Sequence, residues 1–328
     1  MTFKKKLQTM ILYIVIFYLL LSAVFNLLID PYGKYNLVNV KGINRYKYNY
    51  EQQDVLNRIF EDNKIDTLVF GTSRSATMGN EDHFTKNGSS VLNLSDAIYG
   101  NPEDIYNYLT FALKKTSTIK QIFIGIDLHV YEKKNRLGKI RNDLYYTFPY
   151  MYSFLSSIAK LTPIYNSISF YSMNKNIRGE EPKAPQDNNG VREYLHKKLT
   201  VKQIELAKHK KPKKLIYTKI DLDYFEKIDN LLRENEVNVY FYTFPNSVWY
   251  YDSVYSLNEV NSFYGELRKY ISFYNFSYIN FTTKDAKNYY DISHYGKKLN
   301  ALILKSIFSG HSSATINGDM LFKKIEKI

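Results

Sequence analysis

Ile65-Asp66-Thr67-Leu68-Val69-Phe70-Gly71, followed at once by Thr72-Ser73-Arg74-Ser75, is the stretch on which the fold turns. IDTLVFG is short, apolar and rich in β-favouring residues, and it stops at a glycine. A strand without polar–apolar alternation is buried on both faces, which is the pattern of a parallel sheet. Where such a strand gives way to a helix, the next side chains stand at the carboxyl edge of the sheet. That is where α/β folds assemble their sites. Ser73 falls there, with its hydroxyl exposed and its own N–H at a helix start, facing a developing oxyanion. The same position also suits a plain N-cap, for which Ser and Thr are preferred.

The pattern repeats outward from this block. Val91–Leu94 predicts a second strand, Gln121–Asp127 (QIFIGID) a third, Val237–Phe244 (VNVYFYTF) a fourth and Tyr278–Phe281 a fifth. Ile105–Leu113 and Leu222–Leu232 carry apolar residues at helical spacing, Tyr295–Phe308 predicts a final helix, and Val55, Ile59 and Phe60 mark a helix ahead of the first strand. Strands alternating with helices predict a parallel sheet covered on both faces. The alternation breaks between about 131 and 217. Asn174–Gly190, rich in Asn, Pro, Gly and charge, predicts a long loop. Lys208–Lys214 (KHKKPKK) is a concentrated basic run, read as a solvated loop facing membrane or glycan rather than a nucleic-acid site.

Leu7–Ile29 contains no charged residue and is long enough, as a helix, to cross a bilayer core of about 30 Å. Lys4, Lys5 and Lys6 precede it, so residues 1–6 are expected in the cytoplasm and everything after the anchor outside, with membrane lipid as a first partner. A cleaved signal peptide would need a shorter apolar region and a small-x-small site, for which Leu21-Ser22-Ala23 is a poor match. Asp30-Pro31-Tyr32-Gly33 reads as a turn opening a membrane-proximal segment over 30–60. The organisation expected is therefore a tail, an anchor over 7–29, this segment, and a domain over 61–328 with its loop-rich insertion around 131–217.

The net charge of +13, from 45 Lys and Arg against 32 Asp and Glu, favours anionic neighbours such as lipid head groups or acidic glycans. There is no cysteine, which excludes disulfides, thiolate metal sites and a cysteine nucleophile. No metal-ligand cluster, nucleotide loop or dinucleotide fingerprint stands in the sequence, so neither metal nor cofactor is expected.

The second chemical signal is Asp291-Ile292-Ser293-His294. A serine nucleophile needs a base, and the base needs an acceptor that fixes its tautomer. Three residues on a turn let the Asp291 carboxylate reach His294 Nδ1–H while Nε2 faces the serine.

Gly-x-Ser after the first core strand and Asp-x-x-His just before the last helix resemble the SGNH/GDSL hydrolase superfamily in order and spacing, over roughly 65–308. That resemblance implies a flavodoxin-like parallel sheet with helices on both faces. It also implies a triad of Ser73 as nucleophile, His294 as general base and acid, and Asp291 as orienting carboxylate. The family builds its oxyanion hole from the serine N–H and two further blocks. The second block is similar to Val91-Leu92-Asn93-Leu94-Ser95 with Gly100 beyond it, and the third to Ile124-Gly125-Ile126-Asp127.

Two departures stand out: Gly-Thr-Ser replaces Gly-Asp-Ser, and Asp127 stands where the family has Asn. An ionised Asp127 repels an oxyanion, so it must be protonated, be replaced as donor by Asn93, or leave the site inactive. With the anchor and Ser-Arg after the motif, these features resemble the envelope branch of the family. That branch includes alginate O-acetylation and teichoic acid D-alanine transfer proteins, which work beside membrane-bound O-acyltransferases. The resemblance implies an acyl esterase or O-acyltransferase acting on envelope polysaccharide or teichoic-type polymers. The alternative is an inactive domain that binds glycan or scaffolds an acylation complex. Arg74 is either a substrate clamp beside the serine or a surface ion-pair residue. Trp249, Tyr250 and Tyr251 are either a sugar platform or core.

Overall fold

The structure, a computed structural model, describes residues 3–29, 65–79, 84, 88–95, 100–128, 198–309, 311, 313–316 and 319–328. The Asp30–Gly33 turn, the segment over 30–60 with its Val55–Phe60 helix, and the Asn174–Gly190 loop lie outside the described residues. The chain divides into two units, Met1–Asp54 with Arg141–Asn188, and Val55–Ile140 with Asn189–Ile328.

The described part of the first unit is one helix, α1 (Phe3–Ile29), 27 residues of unbroken helical backbone. At 1.5 Å per residue this is about 40 Å long. Its described apolar side chains are exposed all around the helix. Among the described residues no helix is long and apolar enough to cross a membrane.

The second unit is α/β. In chain order it holds β1 (Thr67–Phe70), β2 (Val91–Asn93), α2 (Pro102–Lys115), β3 (Gln121–Ile126), α3 (Val201–Lys208), α4 (Lys219–Glu234) and β4 (Asn238–Thr243). There follow α5 (Val248–Ser253), α6 (Leu257–Leu267), β5 (Phe273–Asn275), α7 (Phe281–Lys284), α8 (Lys297–Phe308), β6 (Ser313–Ile316) and β7 (Asp319–Ile325). Among the described residues the strands form one seven-stranded sheet in the order β2-β1-β3-β4-β5-β7-β6. The first five are parallel, whereas β7 runs antiparallel to β5 and β6 antiparallel to β7.

Register sorts the core onto two faces. Val69 lies beside Phe123, and Phe123 beside Tyr240, so these three share a face. There the rings of Phe123 and Tyr240 stack at 5.0 Å, and Phe308 of α8 meets both edge-on. Phe70, Ile124 and Phe241 share the opposite face. On that side Phe70 meets Tyr108 of α2 at 5.7 Å and Phe241 meets Phe225 of α4 at 5.9 Å. Helices therefore cover both faces, and the central strands are buried as their uninterrupted apolar runs require. The helices begin on local signals. Asn101 caps α2 with Pro102 at its first position, and Thr218 with Asp221 forms a reciprocal capping box on α4.

One expected strand is displaced. Tyr278–Phe281 is not a strand; the fifth is Phe273–Asn275, and the chain has left the sheet by the time it reaches Asn280. The Asn280 side chain accepts from the N–H groups of Thr282 and Thr283, and that cap turns the segment into the short helix α7. The final helix starts at Lys297 rather than Tyr295, because Tyr295 pairs with Tyr289 in an antiparallel bridge.

Candidate active site

Ser73 sits just beyond β1, at the carboxyl edge of the parallel strands. Gly71 makes the exit possible. Its φ of +149° is one that side-chain-bearing residues rarely adopt, and a Cβ there would run into the Ser75 hydroxyl. The expected helix start is instead a series of tight turns. Ser75 N–H donates to Thr72 O at 2.9 Å and Met78 N–H to Ser75 O at 2.9 Å, so the bonds span three residues rather than four. Ser73 is half-buried at the head of these turns, rather than serving as a helix cap.

His294 arrives on a separate loop, closed by the Tyr289–Tyr295 bridge and by Tyr290 N–H donating to His294 O at 2.8 Å. Both flanking tyrosines are buried, which pins the loop to the core. Inside it, Asp291 Oδ1 accepts from the N–H groups of Ser293 at 2.7 Å and His294 at 2.9 Å. Asp291 Oδ2 is left to face His294 Nδ1 at 2.8 Å. The Ser247 hydroxyl, after β4, donates to Ile292 O at 2.6 Å and ties this loop to the sheet edge.

The three side chains form one chain of hydrogen bonds, with Ser73 Oγ 2.7 Å from His294 Nε2. The proton positions follow from Asp291. Burial alone would raise its carboxyl, but the hydrogen bond and charge of His294 and the two backbone N–H groups outweigh that and lower it to about 2. An ionised carboxylate only accepts, so Nδ1 carries the proton. In the neutral imidazole Nε2 is then the acceptor, aimed at the serine hydroxyl. That is the arrangement a general base needs.

The other expected site residues take different roles. Arg74 is neither a substrate clamp nor a surface residue: it is 3% exposed. Its Nε lies 3.5 Å from Asp127 Oδ2, its Nη1 donates to Asn246 Oδ1 at 2.6 Å, and its guanidinium lies over the Tyr250 ring at 4.6 Å. Burial works against the charge, but Asp127 more than compensates, and the guanidinium pKa is raised. Asp127 is correspondingly a counter-ion. It also accepts from the Thr72 hydroxyl at 2.5 Å, so it braces the residue directly before Ser73.

Asn93 does not serve as an oxyanion donor. Its Nδ2 is spent on Ser75 O and Met78 O, at 2.8 and 2.7 Å, and so fixes the turns after Ser73. Gly100 does come to the site: a Cβ there would stand 3.0 Å from the Gly71 carbonyl, so the two backbones touch. Tyr250 and Tyr251 are buried, and burial pushes Tyr251 up to about 12 while its hydroxyl donates to Ser277 O at 2.7 Å. They are core rather than a sugar platform, and Trp249 is partly buried against a hydrophobic cluster that includes Phe244 and Tyr289.

Sequence reasoning did not identify Thr72, Asn246 and Ser247. Their signal was available, since Asn246 and Ser247 follow β4 at the same carboxyl edge as Ser73 and Asp127. Among the described residues no group of three His, Asp or Glu side chains gathers to hold a metal ion. No family model, no curated protein and no solved structure matches this chain.

Proposed function

We propose that the chain is a serine esterase or O-acyltransferase of SGNH type, anchored in a membrane by residues 7–29 and acting outside the cytoplasm. Its substrates would be acylated or acylatable polymers of the cell envelope, polysaccharide or teichoic-type, with a membrane-bound O-acyltransferase as the source of the acyl group. The single observation that carries the reading is the Ser73–His294–Asp291 hydrogen-bond chain at 2.7 and 2.8 Å. The strand order 2-1-3-4-5 of the parallel part is the flavodoxin-like one, and the site lies at the edge where such sheets bind ligands.

In this reading His294 Nε2 takes the Ser73 proton as Oγ attacks an ester carbonyl, and the imidazolium then protonates the leaving alcohol. The resulting acyl-Ser73 is released to water in an esterase, or to a polymer hydroxyl in a transferase, with His294 as base again. The mechanism calls on no cofactor. The outside location rests on Lys4, Lys5 and Lys6 ahead of the apolar run.

One observation supports the inactive alternative: Asp127 is committed to Arg74 and Thr72, so the family's third oxyanion donor does not come from that position. A serine-directed fluorophosphonate separates the two readings. It should label the purified full-length protein at Ser73, with labelling absent in Ser73→Ala and nearly absent in His294→Ala. An unlabelled wild type, with envelope acylation unchanged in a Ser73→Ala strain, would favour the scaffold.

A further inference from the structure

We infer that the stretch Lys198–Ile220 of the second unit is a docking surface for an anionic phospholipid membrane. The first observation is charge. This stretch holds eight lysines against one acidic residue, Glu205, and the run Lys208–Lys214 is exposed throughout. The second is apolar. Of the six large apolar side chains exposed among the described residues of the second unit, four lie here: Val201, Leu206, Ile216 and Ile220, each 55–71% exposed.

The stretch is held to the domain rather than loosely strung from it. Ala207 and Leu215 are buried, α3 packs on α5, and Lys213 N–H donates to Val254 O at 2.7 Å. Lysines and aliphatics are therefore displayed together on a fixed backbone.

That combination selects the partner. An acidic polymer would satisfy the lysines and leave the four aliphatic side chains in water. A bilayer interface satisfies both, since phosphate head groups meet the ammonium groups while the aliphatic side chains enter the acyl boundary. The contact is independent of the triad and adds a second membrane attachment to the anchor proposed at 7–29.

The test uses the full chain, carried from detergent into bilayers of phosphatidylcholine alone or mixed with phosphatidylglycerol. Lysines are acetylated with a water-soluble reagent and read by mass spectrometry. The Lys208–Lys214 run should react several-fold more slowly in the anionic bilayers, and exposed Lys323 should react equally in both. Lys210→Gln with Lys211→Gln should weaken the contact by about fivefold per charge removed, seen as lost protection of the remaining lysines. Leu206→Ser with Ile216→Ser should reduce protection with every lysine kept. Equal acetylation in the two bilayers would overturn the inference. So would protection by a soluble polyanion alone, or protection in anionic bilayers that the aliphatic changes leave intact, because either result would make the surface a charge site without lipid insertion.

Discussion

Arg74 Nε and Asp127 Oδ2 lie 3.5 Å apart with both side chains 2% exposed, and Arg74 directly follows Ser73 in the chain. A guanidinium buried this deeply needs a charge to offset its desolvation, and Asp127 supplies it. The Thr72 hydroxyl bonds to the same carboxylate oxygen, so the pair also sets the backbone on which Ser73 rides. Asp127→Asn therefore does not restore an oxyanion donor. It should destabilise the domain by about 3–5 kcal/mol, because the Arg74 charge is left uncompensated. Pairing it with Arg74→Met should recover part of that loss in a double-mutant cycle. Denaturant midpoints measure both, and a gain in ester turnover on Asp127→Asn would show that the carboxylate opposes the oxyanion instead.

Asp291 sets the second expectation, which concerns acid. Its folded carboxyl titrates near 2, below the ordinary 3.8. A lowered value means that its stabilising bonds are fully present above about 3.8 and fade as pH falls toward 2. The stability difference between wild type and Asp291→Asn should thus persist from neutral pH down to about 4 and shrink below it. The acid limb of any activity profile should lie above that window, since Asp291 stays ionised through it. A wild-type acid limb lying inside that window would contradict this assignment.

Gly71 and Gly265 form a contrasting pair. An alanine Cβ at Gly71 would strike the Ser75 hydroxyl, which is bonded to Tyr242 OH at 2.8 Å, and would hold φ at +149°. Gly71→Ala should cost about 2 kcal/mol or more, and activity with it, because Ser73 is two residues on. Gly265 lies on the exposed face of α6, with nothing within 4 Å of an added Cβ. Gly265→Ala should stabilise by about 0.5–1 kcal/mol. Thermal melts of the two variants, moving in opposite directions, check both.

What the sequence revealed follows from what each signal depends on. The strands β1, β3 and β4 were legible because both faces are covered, which demands apolar residues without a break. Ser73, Asp291 and His294, which the structure joins in one hydrogen-bond chain, were legible because such a chain restricts residue type and because Asp291 stands three residues before His294 on one turn. β5 was not, since F-Y-N-F-S-Y-I-N-F suits a strand at several registers and only the Asn280 cap decides among them. The β6–β7 hairpin escaped because its strands are half-exposed and polar or charged residues interrupt their apolar runs. Arg74 was misjudged for a deeper reason: a charged residue is read as exposed by default, and its burial beside Asp127 depends on contacts with Asn246 and Tyr250, 172 and 176 positions away.

The anchor is the last expectation, and two kinds of attachment must be told apart in testing it. α1 is helical over 27 residues and the run Leu7–Ile29 has no charge. If that helix spans a bilayer, burial of its apolar surface holds the protein there, and salt does not screen such burial. High salt should leave full-length protein with the membrane fraction, as should alkaline carbonate, while detergent releases it. Removing the basic character of Lys208–Lys214 should change none of this, because that contact is secondary to a spanning helix. Replacing Leu12 and Ile16 with Arg should release the protein, since each charge at the centre of a spanning helix costs about 2.5–3.5 kcal/mol. Recovery of wild-type protein in the high-salt supernatant would mean that α1 does not span the membrane.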